Sequence, residues 1–230
     1  MPDIQLLDNP MWSALTTAHS HLALGNQLAR AYPPEIGPLG GLTEQSPAAY
    51  EDLRAIAEPD SIRVLFLKEP PRPRPGWTFV RGGLVDQMLH TGSRIDDLPQ
   101  PIGMRRLTKS DVPAMVELAK LTEPGPFRNR THELGAFFGI FEGDRLLAMA
   151  GERMRVPGFV EVSAVCTHPD ARGRGYARTL MSTVMKLIRH EGDMPFLHTF
   201  ADNLPAIRIY ESLGFAKRCT FHLAVLKNES

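Results

Sequence analysis

The residues best suited to chemistry lie between Val160 and Leu180, VEVSAVCTHPDARGRGYARTL. The apolar run VEVSAVCT reads as a strand, a loop rich in glycine and arginine follows, and a helix is expected from about Gly175 to His190. Such a loop turns several backbone N–H groups in one direction, and the helix start adds a partial positive charge, so an anion is favoured there. Gly173 and Gly175 carry no side chain, which lets a phosphate approach the main chain. Arg172, Arg174 and Arg178 bring further positive charge to the same point. These are the features of a diphosphate site.

Two common phosphate loops do not fit. A P-loop requires Gly-Lys-Ser/Thr at the helix start, whereas Gly175 is followed by Tyr176-Ala177. A dinucleotide G-x-G-x-x-G would need glycine where Arg178 stands, which weakens that reading too. His168 and Cys166 are too few for a metal site, and no second cluster accompanies them, so no metal is expected. His19 and His21 fall two apart on an expected helix and do not face each other. Cys166 as a nucleophile would require an activated thiolate beside a base.

Arg172-Gly173-Arg174-Gly175-Tyr176-Ala177 satisfies every specified position of Q/R-x-x-G-x-G/A. It resembles the coenzyme A loop of the GNAT acetyltransferase superfamily. The preceding strand, the amphipathic helix after the loop, and the later Asn203, Ala206, Tyr210 and Gly214-Phe215 at their observed spacing are similar to that family as well. The resemblance covers roughly residues 102–230. Its wording is closest to a bacterial branch with an additional N-terminal region, which this chain also has.

The resemblance implies an α/β (α+β) fold: a mixed, mainly antiparallel sheet with helices on both faces. Two central strands, Phe159–Thr167 and Phe196–Thr199, would splay after a bulge and admit acetyl-CoA, the acyl donor. Main-chain groups of Ala164, Val165 and Cys166 would hold the pantetheine, which accounts for Cys166 more simply than a nucleophile does. Amides of Gly173, Arg174, Gly175, Tyr176, Ala177 and Arg178, beside Arg172, would bind the diphosphate. Asn203 would reach the coenzyme from the next helix; as an ordinary helix N-cap it serves equally well, and the two roles can coexist.

The implied reaction moves an acetyl group directly from the thioester to a primary amine. A backbone N–H at Val165 or a neighbour would polarise the carbonyl. Tyr210 occupies the family's tyrosine position and would protonate the departing thiolate. Spacing alone reads Tyr210 as an aromatic packed with Ala206, Ile207 and Leu213. For the base, histone-modifying relatives place a glutamate where Glu161 stands, and strand alternation puts Glu161, Ser163 and Val165 on one face. Glu161 equally fits a surface carboxylate at a strand end, and a water chain serves as base in some relatives. His132, with Arg128 and Arg130, borders the region where an acceptor would sit and could meet an anionic one; a solvated loop fits as well. The alternative to an enzyme is a non-catalytic acyl-CoA-binding sensor, against which Tyr210 argues.

The elements that must position these residues belong to a chain of 230 residues, 43% hydrophobic and 23% charged, ordinary for a folded protein of one or two domains. Residues 1–101 hold 13 of the 20 prolines and carry 8 basic against 12 acidic side chains. Residues 102–230 carry 18 basic against 14 acidic, so a boundary is expected near residue 101. The first part reads as a smaller α/β region, either a degenerate GNAT-like half or a cap on the acceptor pocket. Its expected elements are a helix over Met11–Arg30, a second near Ala48–Ala57, and a strand Ile62–Leu67. Trp77–Val80 and Leu84–Leu89 read as a strand and a second strand or helix. The connector KEPPRPRP (Lys68–Pro75) reads as a surface loop, with binding to an aromatic groove as the alternative.

In the second part Ile102–Leu107 reads as a strand, Ser110–Leu121 as a helix, and Phe137–Phe141 with Leu146–Val156 as a hairpin. Leu180, Val184, Leu187 and Ile188 give the helix after the loop one apolar face. Leu204–Leu213 reads as a helix, and Phe221–Leu226 as a last strand. Balanced charge, 26 against 26, gives no nucleic-acid or membrane-surface partner. Two cysteines make no disulfide framework. No signal peptide or spanning segment is read, so a cytoplasmic protein is expected. A homodimer is compatible with the sequence, which carries no mark of one.

Overall fold

The computed structural model describes residues 2–72 and 74–229. The chain opens with helix α1 (Pro10–Thr16) and a small three-stranded sheet, β1 (Leu24–Gly25), β2 (Ala29–Ala31) and β3 (Gly40–Leu42). Helix α2 (Pro47–Ala55) follows, capped by the Ser46 hydroxyl, which accepts from the Ala49 amide. Strands β4 (Ile62–Leu67) and β5 (Trp77–His90) complete the first part. Next come β6 (Met104–Arg106), α3 (Val112–Thr122), and the hairpin β7 (Phe137–Glu142) and β8 (Arg145–Val156). Then come β9 (Phe159–Thr167), α4 (Tyr176–His190), β10 (Met194–Phe200), α5 (Leu204–Ser212) and β11 (Phe215–Asn228).

Strands β4 to β11 form one eight-stranded sheet in the order β4-β11-β5-β10-β9-β8-β7-β6. Every pairing is antiparallel except β9 with β10. The mixed, mainly antiparallel sheet is therefore as expected. The sheet runs across residue 101: β5, from the first part, lies between β10 and β11.

Helix α4 covers one face, burying Leu180, Met181, Val184, Met185 and Ile188 against Ile140, Ala148, Ala150, Val160 and Val162. These positions differ from the expected face only at its edges. Met181 and Met185 complete the stripe, and Leu187 sits half-buried at its margin. The opposite face carries α1, whose Met11, Ala14 and Leu15 pack on Met154, Val156 and Phe159. On that face α3 also packs Met115, Leu118 and Ala119 on Phe137, Met149 and Cys166.

Three expected elements are corrected. The helix over Met11–Arg30 stops at Thr16, because the chain turns at Thr17 (φ −122°, ψ −103°) toward the small sheet. There the hydroxyls of Thr16 and Thr17 donate back to the carbonyls of Trp12 and Ser13 at 2.7 and 2.5 Å, competing with helical continuation. Trp77–Val80 and Leu84–Leu89 are one strand, continuous through Gly82-Gly83. The closing strand starts at Phe215 rather than Phe221, with a register shift between Lys217 and Cys219. The connector Lys68–Pro75 joins β4 to β5, and its Pro73 lies outside the described residues.

Candidate active site

Strands β9 and β10 pair only over Phe159–Glu161 and Met194–Phe196. Beyond that point β10 stays with β5 as far as Phe200, while β9 stays with β8 as far as Thr167. The two strands splay, and among the described residues the edge of β9 from Val162 onward has no paired strand on the β10 side. Opposite Ala150, β9 carries an extra residue: Met149 pairs with Cys166 and Gly151 with Ser163. Ala164 takes φ +51° there, a left-handed conformation uncommon for alanine.

This bulge corrects the expected alternation. Val165 joins Val160 and Val162 on the α4 face, while Ala164 and Cys166 lie on the α3 face. Glu161 and Val165 are therefore on opposite faces. Cys166 is buried, and burial pushes its thiol up to about 11, so it is protonated near neutral pH.

The loop after β9 turns at Gly173 and Gly175, both at φ +77°. A Cβ on either would meet nothing within 4 Å, so both glycines face open space. Among the described residues, the amides of Gly173 to Arg178 donate to no protein acceptor; the first helical bond of α4 is Thr179 N–H to Gly175 C=O. Six successive N–H groups thus stand free at a helix start. Of the three arginines, Arg178 pairs with Asp96 at 2.8 Å and reaches Ser212. Arg174 lies 3.8 Å from Glu142, and Arg172 is exposed.

Tyr210 is half-buried on α5, edge-on to Phe215 at 6.4 Å. With Val165, Tyr176 and Ile207 it packs against the rim of the core under α4. Burial raises the Tyr210 phenol above its ordinary pKa. The Asn203 side chain accepts from the Ala206 amide at 3.3 Å as a helix N-cap.

Glu161 lies at the base of the splay on the other face, fully buried. Arg153 donates to both of its oxygens, at 2.7 and 2.6 Å, and His198 Nδ1 lies 2.7 Å from Oε1. Burial alone would raise its pKa, but the Arg153 charge and these hydrogen bonds outweigh it and hold the carboxyl well below the usual range. Gln87 lies 3.2 Å from His198 Nε2, so both ring nitrogens are engaged.

A cleft on this face is lined by Pro124–Phe127 of the α3–β7 loop, Glu152 and Arg153 of β8, and Ser163 and Ala164 of β9. Sequence reading passed over Glu152 and Arg153. The available signal was two adjacent charges inside the apolar strand LLAMAGERMRV. Arg130, by contrast, is closed on Glu133 at 2.8 Å, and His132 Nδ1 lies 3.0 Å from the Asn129 carbonyl. A more open cleft of about 650 Å³ lies between Asp8-Asn9, Gly40–Pro47 and Leu65–Glu69 and shares no residue with the splay. Among the described residues no cluster of His, Cys, Asp and Glu is placed to hold a metal, and no helix is long and apolar enough to cross a membrane.

The family model described as FR47-like protein matches residues 137–223. No curated protein sequence matches the chain. Among solved structures, a GNAT-family acetyltransferase from Novosphingobium aromaticivorans is 38% identical, covering 97% of this chain and 99% of its own, with a TM-score of 0.90. A GCN5-related N-acetyltransferase from Kribbella flavida shares the fold at 15% identity, covering 95% and 94%, with a TM-score of 0.63. A tandem GNAT protein of clavulanic acid biosynthesis does so at 13% identity, covering 88% and 79%, with a TM-score of 0.55. With near-complete coverage at 38% identity, this chain belongs to the GNAT family of acetyltransferases.

Proposed function

We propose that this protein transfers the acetyl group of acetyl-CoA to a primary amine by direct attack. The observation that carries this reading is the run of six unpaired amides from Gly173 to Arg178, next to the open edge of β9. A diphosphate on those amides would let the pantetheine follow β9 as an added strand along Ala164, Val165 and Cys166. The thioester then lies near the bulge, where the Val165 N–H or a neighbouring one polarises the carbonyl. Asn203 stands at the start of α5 beside the coenzyme path.

In the reaction the amine nitrogen bonds to the carbonyl carbon, the C–S bond breaks, and the thiolate needs a proton. Tyr210 supplies it: burial keeps the phenol protonated, and its ring packs against the same core under α4 as Val165. The base is not assigned to Glu161. A carboxylate enclosed by Arg153 and His198 has little affinity for a further proton. Residues 1–101 contribute to the acceptor side: Arg130 N–H donates to the Glu35 carbonyl at 3.0 Å, and Thr131 Oγ1 to that of Ile36 at 2.6 Å.

Thiol release across a panel of amines tests the reading. Turnover with acetyl-CoA is expected, and Tyr210→Phe should lower kcat about 100-fold while acetyl-CoA affinity stays within about twofold. Tight acetyl-CoA binding with no turnover on any amine would favour an acyl-CoA sensor instead.

A further inference from the structure

Arg153 uses only half of its guanidinium on Glu161. Nε and Nη2 make the two bonds to the carboxylate, while Nη1 donates to nothing among the described residues. Nη1 faces the α3–β7 loop: a Cβ built on Gly125 would lie 4.0 Å from it. The side chain is 13% exposed, so this edge opens onto the cleft between that loop and the bulge. A guanidinium fixed from behind by a buried carboxylate, with its remaining N–H groups turned outward, matches an incoming carboxylate in geometry.

Glu152 also borders this cleft, but it pairs with Val162 of the α4 face, and its Oε2 accepts from the Ala136 amide at 3.1 Å and from Arg155 at 3.3 Å, so its carboxylate lies on the other side of the sheet from Arg153. The cleft therefore presents an unused donor edge beside Ser163 and Ala164, where the thioester is placed above. Its open volume is about 10 Å³, room for about one water, so an acceptor enters only as the Pro124–Phe127 loop draws back.

We propose that the acceptor is an amine that also bears a carboxylate, of the α-amino acid class, with Arg153 Nη1 holding the carboxylate. The proposal rests on the transferase reading above and names its acceptor. Attack forms the C–N bond and breaks C–S; the amine proton passes to water while Tyr210 protonates the thiolate, and solvent restores the Tyr210 proton.

The test compares thiol release from free α-amino acids with that from their carboxamides. The acids should be favoured about 100-fold in kcat/KM, because a carboxamide cannot pair with Nη1 in the same way. Arg153→Lys keeps a cation for Glu161 but offers no second planar edge. It should raise KM for the acids and bring the acid-to-carboxamide ratio to within about threefold. Should Arg153→Lys fold poorly, the acid-to-carboxamide ratio of the unaltered protein decides alone. Turnover with carboxamides or polyamines that equals turnover with the acids overturns the assignment and leaves the transferase reading intact. If no amine turns over, the transferase reading fails. The assignment is then judged by titrating the acids into the CoA complex, and no binding there overturns it.

Discussion

Arg153 and Glu161 are the residues whose chemistry the sequence left furthest from view. Glu161 stands where a base was expected, yet two bonds from Arg153 and one contact from His198 enclose it. Glu161→Gln should therefore act on stability first, costing about 3 kcal/mol because a buried arginine loses its counter-ion. Chemical denaturation measures that cost, and kcat per folded molecule should fall less than about tenfold, far short of losing a true base. Gly175 makes the converse case. Its side-chain direction is empty, so Gly175→Asp should fold with a penalty of about 1 kcal/mol for the left-handed backbone. The same substitution puts a carboxylate where the diphosphate is placed and should weaken acetyl-CoA binding about 100-fold, or about 2.8 kcal/mol. Calorimetric titration reads that loss, and unchanged affinity would move the phosphates elsewhere. The loop was legible because glycine and arginine report their purpose through type and spacing. The Arg153–Glu161 pair was not, because no local pattern shows which strand residues meet across a sheet.

At the scale of elements, the bulge in β9 governs the site. Ala164 sits at φ +51° and shifts Val165 to the α4 face. Ala164→Gly should stabilise the bulge by about 0.5–1 kcal/mol or leave it unchanged, whereas Ala164→Val should destabilise it by more than 1 kcal/mol. Thermal melts of the two variants give the sign. Strict period-2 reading could not anticipate this, since one inserted residue reverses every later side chain. Strands β4 and β9, marked by their apolar and β-branched residues, and helix α4, with its one apolar face, were legible to within a residue or two. Strand β5 was split in two because Gly82-Gly83 reads as a break. In the sheet Gly82 permits close approach instead: a Cβ there would lie 2.3 Å from the Leu223 carbonyl. Helix α1 was overextended because its apolar residues continue past Thr17, where side-chain hydroxyls and tertiary contacts end it.

At the scale of the whole molecule, the two parts share one sheet. Strand β5 separates β10 from β11, so residues 102–230 expressed alone should lack a cooperative melt. The composition shift near residue 101 conveys a change of character but not where the strands insert, which depends on pairings far apart in sequence. His19 ties stability to pH. It is buried with Nδ1 2.6 Å from the Tyr32 hydroxyl, and burial, aided by His21 and Arg155, lowers its pKa to about 4. An unfolded chain protonates it near 6.5, so between about 6.5 and 4 the unfolded state binds a proton that the folded state does not. Stability from this group is complete above that window and declines as pH falls through it, by about 3 kcal/mol in all. His19→Gln should flatten the decline in denaturation midpoints between pH 7 and pH 4.5.

The claim beneath all of this is that the start of α4 and the open edge of β9 receive the coenzyme. A crystal structure with acetyl-CoA bound tests it most directly. The diphosphate oxygens should lie about 3 Å from the amides of Gly173 to Arg178, with the thioester beside Val165. Acetyl-CoA seated instead in the cleft between Gly40–Pro47 and Leu65–Glu69, with those six amides unliganded, would contradict it.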